Sequence, residues 1–223
     1  MRPLYWEAQE FFSKFDDEYI SDYELLELNE NACRVMTVAT LKKIAFDYYM
    51  MIEDAGFRVE AIDVYPLSYA RVLNLAEVNS VTAVIDIGYS HCEITIIEKG
   101  KVSLSRNMKF KTALEKSSRF NDNLGTNYIY NENDMTISSL DELVLEILRL
   151  LDFYSTQWSK HNVETIVFIG HGSISMQLQE IYPFYFNIPV IDAEQICQKL
   201  IIVDTHDFNI NEFFSSIGFA LRR

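Results

Sequence analysis

The segment that most constrains the fold of this chain is VTAVIDIGYSHCEITIIEKGKV, residues 81–102. It begins as a continuous apolar run, reaches Asp86 and Gly88 in the pattern Asp-Ile-Gly, and then starts a second strand. A continuous apolar strand is typical of the middle of a sheet, where both faces are covered. The Asp-Ile-Gly pattern therefore predicts a hairpin at the end of a central strand.

The residues of this hairpin have the chemistry of a phosphate site. Gly88 lets backbone amides approach a ligand closely, and Asp86 is able to hold a hydrated Mg²⁺ ion beside a phosphate chain. Tyr89 and Ser90 complete the turn and belong to the predicted site. An aspartate at a strand end also caps turns without any ligand, so the residues alone leave both interpretations open.

A second glycine turn comes after the predicted strand ETIVFI. Gly170, His171, Gly172 and Ser173 come directly after it and precede a helical pattern. The free amides and the dipole of a helix N-terminus favour an anion or a ribose-phosphate edge, so Gly170, Gly172 and Ser173 are predicted to border a nucleotide. A tight strand-to-helix turn explains the glycines without a ligand as well.

The rest of the chain mixes helices and strands, which indicates an α/β fold. Thr40 is the predicted N-cap of a helix that ends at Gly56, and Ser139 with Glu142 forms a capping box at the start of a long helix. The other predicted elements are a strand pair (DYELLELN and CRVMTVAT), a strand (FRVEAIDVY), a helix that begins at Pro66, a strand (VSLSRNMKF), a short strand (IPVID) and a closing helix (NEFFSSIGFALRR).

Composition and charge exclude several classes of function. The net charge of −14 at pH 7 opposes binding to nucleic acid and to an anionic membrane surface. No apolar run approaches the roughly 18 residues that cross a bilayer, and the N-terminus lacks a signal peptide, so we expect a cytoplasmic protein. The widely spaced Cys33, Cys92 and Cys197 predict buried free thiols, and no metal-ligand spacing of Cys or His occurs.

The order of these motifs is more specific than any one of them. An Asp-x-Gly hairpin, a long helix and a glycine turn between strand and helix resemble the second half of an actin-like ATPase. The sequence resembles most specifically the PilM family, the actin-like cytoplasmic components of type IV pilus machines, which are similar to the division protein FtsA. Four stretches resemble the second phosphate-binding hairpin, the long helix, the adenosine-side turn and the closing helix of the family: VIDIGYSHCEITIIEKGKVSLSRNM, LDELVLEILRLLDFY, VFIGHGSISMQLQEIY and FFSSIGFALRR.

The resemblance covers nearly the whole chain and implies its architecture. It implies an actin-like, ribonuclease-H-like lobe, with a mixed central sheet flanked by helices, over residues 78–223. Residues 1–77 would form a small FtsA-like α+β inserted subdomain with a connecting helix. By position, Asp86 and Gly88 would face the phosphates and Mg²⁺ of ATP, and Gly170 and Gly172 would border the adenosine.

The resemblance also implies a function. The chain would be a cytoplasmic scaffold of a type IV pilus machine, at the inner face of the membrane, that binds the cytoplasmic tail of an inner-membrane PilN-like protein near residues 1–75. It would meet other pilus assembly proteins and reach the membrane only through them. The alternatives are a nucleotide-binding actin-like ATPase and a GspL-like or FtsA-like component. The first phosphate hairpin of the family would precede residue 1, so ATP hydrolysis is not expected.

Overall fold

The computed structural model describes residues 18–28, 33–88, 91–109, 137–159, 161–175, 185–200 and 209–222. The chain divides into two compact units, Met1–Asp63 and Val64–Arg223. The predicted domains change at residues 77 and 78, after the helix that follows Val64, and their assignment to family subdomains stays a prediction. No helix of the described residues is both long enough and apolar enough to cross a membrane.

The first unit contains a hairpin and a helix. Strands β1 (Tyr19–Leu28) and β2 (Cys33–Leu41) pair in antiparallel fashion, with an irregularity between Leu25 and Glu27. Helix α1 (Lys42–Asp54) follows directly, and Gly56 ends it at a φ of 85°, as predicted. The predicted N-cap was one residue early, because Leu41 occupies that position and makes no side-chain capping bond.

Apolar side chains of the first unit are strongly exposed. None of its described residues is buried, and Cys33, predicted to be buried, is exposed as well. Helix α1 alone exposes seven large apolar side chains: Ile44, Phe46, Tyr48, Tyr49, Met50, Met51 and Ile52. The described part of this unit therefore presents apolar surface instead of enclosing a core of its own.

The predicted strand FRVEAIDVY is wrong, since residues 57–64 form no strand. The backbone amide of Val59 instead donates to the Glu53 carboxylate at 3.0 Å. Alternation of apolar and polar residues predicts a strand only where a neighbouring strand supplies the ladder of hydrogen bonds, and no strand of the described residues pairs with this segment.

The second unit is built on a four-stranded sheet in the order β5-β4-β3-β6. Its strands are β3 (Thr82–Ile87), β4 (His91–Glu98), β5 (Lys101–Lys109) and β6 (Thr165–Ile169). The first three pair in antiparallel fashion, whereas β6 lies parallel to β3. The predicted mixed central sheet is therefore confirmed. The segment IPVID contributes only an isolated bridge from Val190 to Ile166.

One face of this sheet packs on helix α3 (Ile137–Phe153), which continues into a π-helical turn at Tyr154–Trp158. The helix is already formed at Ile137, so the predicted capping box at Ser139 is wrong. Several apolar side chains of the helix and the turn are buried, whereas Leu148 and Trp158 are 39% and 49% exposed. The π-helical turn points the Trp158 indole toward β5, where it donates to the Ser103 carbonyl at 3.0 Å.

The other helices of this unit are α2 (Tyr65–Leu75), with Pro66 in its first turn as predicted, α4 (His171–Ser175), α5 (Ala193–Cys197) and α6 (Ile210–Ala220). Helices α2 and α6 pack closely. The rings of Tyr69 and Phe214 lie 6.3 Å apart, and Gly218 leaves no room for a side chain against the Ser68 carbonyl. Helix α2 thereby brings Tyr69 to the sheet.

Candidate functional site

The two predicted glycine motifs meet at one end of the sheet. Asp86 is paired with Ile169 in the parallel register of β3 and β6, so the turn that begins at Gly170 starts beside it. A Cβ atom on Gly170 would collide with Oδ1 of Asp86 and lie 2.6 Å from the Ile87 carbonyl oxygen. Gly170 has a φ of +83°, so both its backbone and its surroundings require glycine.

Gly172 packs against the same hairpin. A Cβ atom there would lie 2.6 Å from Cγ2 of Ile87 and 3.2 Å from the carbonyl oxygen of Gly88. The structure thus brings together Asp86, Gly88 and both glycines of the second turn, and their role in nucleotide binding stays a prediction. Tyr89 and Ser90, the other predicted residues of the hairpin, lie outside the described residues.

The carboxylate of Asp86 is held by a residue that the sequence analysis did not single out. The hydroxyl of Tyr69 donates to Oδ2 of Asp86 at 2.5 Å, and Tyr69 is completely buried. Burial and the neighbouring carboxylate raise the pKa of the Tyr69 hydroxyl. In the sequence this tyrosine is one of several apolar positions of α2, and only its tertiary contact distinguishes it.

A second acid lies next to Asp86. Glu93 is the cross-strand partner of Asp86 and therefore shares its face of the sheet, where Ser105 donates to it at 3.0 Å. Burial raises the pKa of Asp86, although the Tyr69 hydrogen bond and His91 oppose this. Burial also raises the pKa of Glu93, and the charge of Asp86 adds to the increase. Two neighbouring carboxylates repel a phosphate group at the same place when they are ionised.

The backbone amides predicted to meet a phosphate are used within the protein. The amide of Gly88 donates to the His91 carbonyl and that of Gly170 to the Asn211 carbonyl, each at 2.9 Å. Ser173 is 3% exposed, and its hydroxyl donates to the Gly170 carbonyl at 2.7 Å. The turn is therefore stabilised by its own hydrogen bonds.

His171 links the glycine turn to the closing helix. Its Nδ1 lies 3.0 Å from Oε1 of Glu212, which stands in the first turn of α6. Together with the bond from Gly170 to Asn211, this contact connects the turn to α6 at two points. Histidine at this position thus has a structural partner in the protein.

The geometry around Asp86 does not fit a hydrated Mg²⁺ ion. Magnesium requires near-octahedral oxygen ligands and keeps several waters, whereas Oδ2 of Asp86 accepts from Tyr69 and Oδ1 packs against Gly170. Among the described residues, no group of three or more His, Cys, Asp and Glu side chains is placed to hold a metal. Binding of Mg-ATP here stays a prediction.

The mixed sheet, the helices on its faces and the hairpin beside a glycine turn define an actin-like fold, as predicted. Among solved structures, the chain is similar to PilM in the PilM–PilN type IV pilus biogenesis complex, with a TM-score of 0.77 and 21% identity. The match covers 99% of this chain and 71% of that one. The predicted resemblance to PilM is thus confirmed at the level of the fold.

Two further structures share the fold more distantly. EutJ, an ethanolamine utilization protein of Carboxydothermus hydrogenoformans, matches with a TM-score of 0.53 and 15% identity over 82% of this chain and 62% of its own. MreB5 of Spiroplasma citri bound to ADP matches with a TM-score of 0.51 and 11% identity over 81% and 65%. This chain therefore spans less than two thirds of either protein. No family model and no curated protein matches the sequence.

Proposed function

We propose that this protein is a cytoplasmic scaffold of a type IV pilus machine that binds the tail of an inner-membrane PilN-like protein. The observation that carries the proposal is the likeness to PilM of the PilM–PilN complex along 99% of the chain. The internal bonding of Asp86, Gly88 and Gly170 supports a binding protein over an enzyme. In this role the chain lies at the inner face of the cytoplasmic membrane and reaches it through its partners.

The first unit is the proposed docking surface for the tail. Its helix α1 exposes Tyr48 and Met51 to 63% and 56%, next to further aromatic side chains. Exposed aromatic and methionine side chains are typical anchors for a peptide, because aromatic rings bury much area and methionine adapts its shape to the partner. A short tail with apolar anchors is the kind of partner that such a surface accepts.

The test is a titration of the full chain into a fluorescent peptide that carries a PilN-type N-terminal tail. We expect micromolar binding, and Tyr48→Asp or Met51→Asp should weaken it at least about tenfold, since burying a charge in an apolar contact is unfavourable. The matched control is Leu145→Asp, which is 53% exposed on α3 of the second unit and should leave binding unchanged. Absence of binding, or equal losses in all three variants, would contradict the proposal.

Nucleotide binding is the second candidate function. It is favoured by the assembly of Asp86, Gly88, Gly170 and Gly172 at one edge of the sheet and by the shared fold of MreB5, whose structure contains ADP. Calorimetry with ATP, with and without Mg²⁺, tests it. Heat of binding at micromolar concentrations would support the candidate, and its absence would leave peptide binding as the better account. Hydrolysis is not proposed.

A further inference from the structure

We propose that Asp86 binds Tyr69 and contacts Gly170 at the edge of the sheet where β3 and β6 end, and that it holds no divalent cation. In this arrangement Asp86 connects α2 and the glycine turn to β3. The proposal deepens the nucleotide candidate, and it is independent of peptide binding on the first unit. In this proposal the hydroxyl of Tyr69 occupies the position beside the Asp86 carboxylate that a hydrated cation would otherwise take.

The argument begins with the two carboxylate oxygens of Asp86. Oδ2 accepts the hydrogen bond from Tyr69, whose ring is wedged beside Phe214 of α6 and has no exposed surface. Oδ1 lies against the α-carbon of Gly170. Both oxygens of the carboxylate are therefore already in contact with the protein, and a cation with its water shell would compete with these packed contacts.

The neighbouring contacts close the same edge. The amide of Gly170 and the imidazole of His171 both bond to the start of α6, and the amide of Gly88 bonds across its own hairpin. The hairpin and the glycine turn thus each use these groups for hydrogen bonds within the protein. Nucleotide binding at this edge, where it occurs, therefore does not depend on a metal at Asp86.

The cation is tested with Mn²⁺ alone, counted by electron paramagnetic resonance on the full chain. We expect the wild type and Asp86→Asn to bind Mn²⁺ equally, with any weak binding coming from the acidic surface. Asparagine keeps an oxygen that accepts from Tyr69 but removes the charge that a cation requires. A wild-type site whose affinity falls tenfold or more in Asp86→Asn would overturn the proposal.

The hydrogen bond between Tyr69 and Asp86 is tested by thermal unfolding of Tyr69→Phe, Asp86→Ala and the double variant. Loss of a buried hydrogen bond to an acid should lower the Tm by roughly 3–8 °C in Tyr69→Phe. In the Asp86→Ala background the same substitution should have almost no effect, because its partner is absent. Tyr65→Phe is the control, since Tyr65 lies on the same helix and is 50% exposed.

Equal Tm losses from Tyr69→Phe in both backgrounds would contradict a stabilising bond between Tyr69 and Asp86. An unchanged Tm in Tyr69→Phe itself would contradict it as well. If Asp86→Ala fails to fold, recovery of folding in Asp86→Asn, which keeps an oxygen that accepts from Tyr69, supports the internal acceptor, and Tyr69→Phe should then lower the Tm of Asp86→Asn by less than it lowers that of the wild type. The nucleotide arm compares binding of ATP with Mg²⁺ and with EDTA. Equal affinities agree with the proposal, and a metal-dependent affinity that Asp86→Asn abolishes contradicts it. None of these results depends on whether a PilN-type peptide binds.

Discussion

Oδ1 of Asp86 lies so close to the α-carbon of Gly170 that no methyl group fits between the two residues. One residue is the last but one of the central strand β3, and the other starts the turn after the parallel strand β6. The contact is possible because parallel strands place their carboxyl ends at the same edge of the sheet.

Gly170→Ala should therefore destabilise the second unit strongly. The methyl group meets Asp86 and the Ile87 carbonyl, and the residue must keep a φ of +83°, so we expect a loss of about 2–4 kcal/mol in the free energy of unfolding. Urea denaturation followed by tryptophan fluorescence measures it. Gly100→Ala is the control: its φ is +72°, and its methyl group meets only the movable side chain of Asn74, so it should lose about 1 kcal/mol.

Gly218→Ala should loosen the packing of α2 against α6. A Cβ atom at Gly218 would collide with the backbone carbonyl of Ser68, which cannot move without shifting α2. We expect a loss of about 1–3 kcal/mol by urea denaturation. Ser216→Ala, at an exposed position of the same helix, should change stability by less than about 0.5 kcal/mol. Similar losses in both variants would show that the close approach of the two helices does not contribute to the free energy of unfolding.

Glu98 should make the free energy of unfolding depend on pH in the acid range. It accepts hydrogen bonds from Tyr154 at 2.9 Å, from Ser159 at 3.0 Å and from His161 at 2.7 Å. Burial opposes ionisation, but these bonds together lower the pKa of Glu98 below its ordinary value of 4.5. A lowered pKa in the folded state stabilises the protein above pH 4.5, and this contribution is lost as the pH falls through the lowered value.

The measurement for Glu98 compares the wild type with Glu98→Gln between about pH 7 and pH 3. The stability advantage of the wild type should be constant near neutral pH and shrink in the acid range. Glu142→Gln, at an exposed position of α3, should follow the wild type throughout. An advantage that stays constant down to the lowest pH would show that the hydrogen bonds do not favour the charged carboxylate.

Tyr154→Phe tests how the π-helical turn is held to the sheet. Tyr154 is completely buried and donates its hydroxyl to Glu98, so its loss should cost about 1.5–3 kcal/mol in the free energy of unfolding. The cost should be smaller in the Glu98→Gln background, because a neutral acceptor forms a weaker bond. Equal costs in both backgrounds would show that the charge of Glu98 adds nothing to the strength of this hydrogen bond.

Local features were predicted well where the residues leave few conformations. The apolar run before Asp86 forms the buried strand β3, and Gly56 adopts the positive φ that is typical of a glycine after a helix. Predictions failed where the structure of a segment depends on contacts beyond its own residues. Residues 57–64 alternate like a strand but have no neighbouring strand, and Ser139 resembles a cap although the helix is already formed at Ile137.

The sequence by itself determined most of the strands, helices and turns of the second unit, because apolar periodicity and glycine positions specify local structure. Only the tertiary structure decided how Asp86 is used. Its bond to Tyr69 joins residues 17 positions apart on a helix and a strand, and its contact with Gly170 joins the ends of two parallel strands. No local pattern encodes such contacts, since they depend on how the helix crosses the sheet.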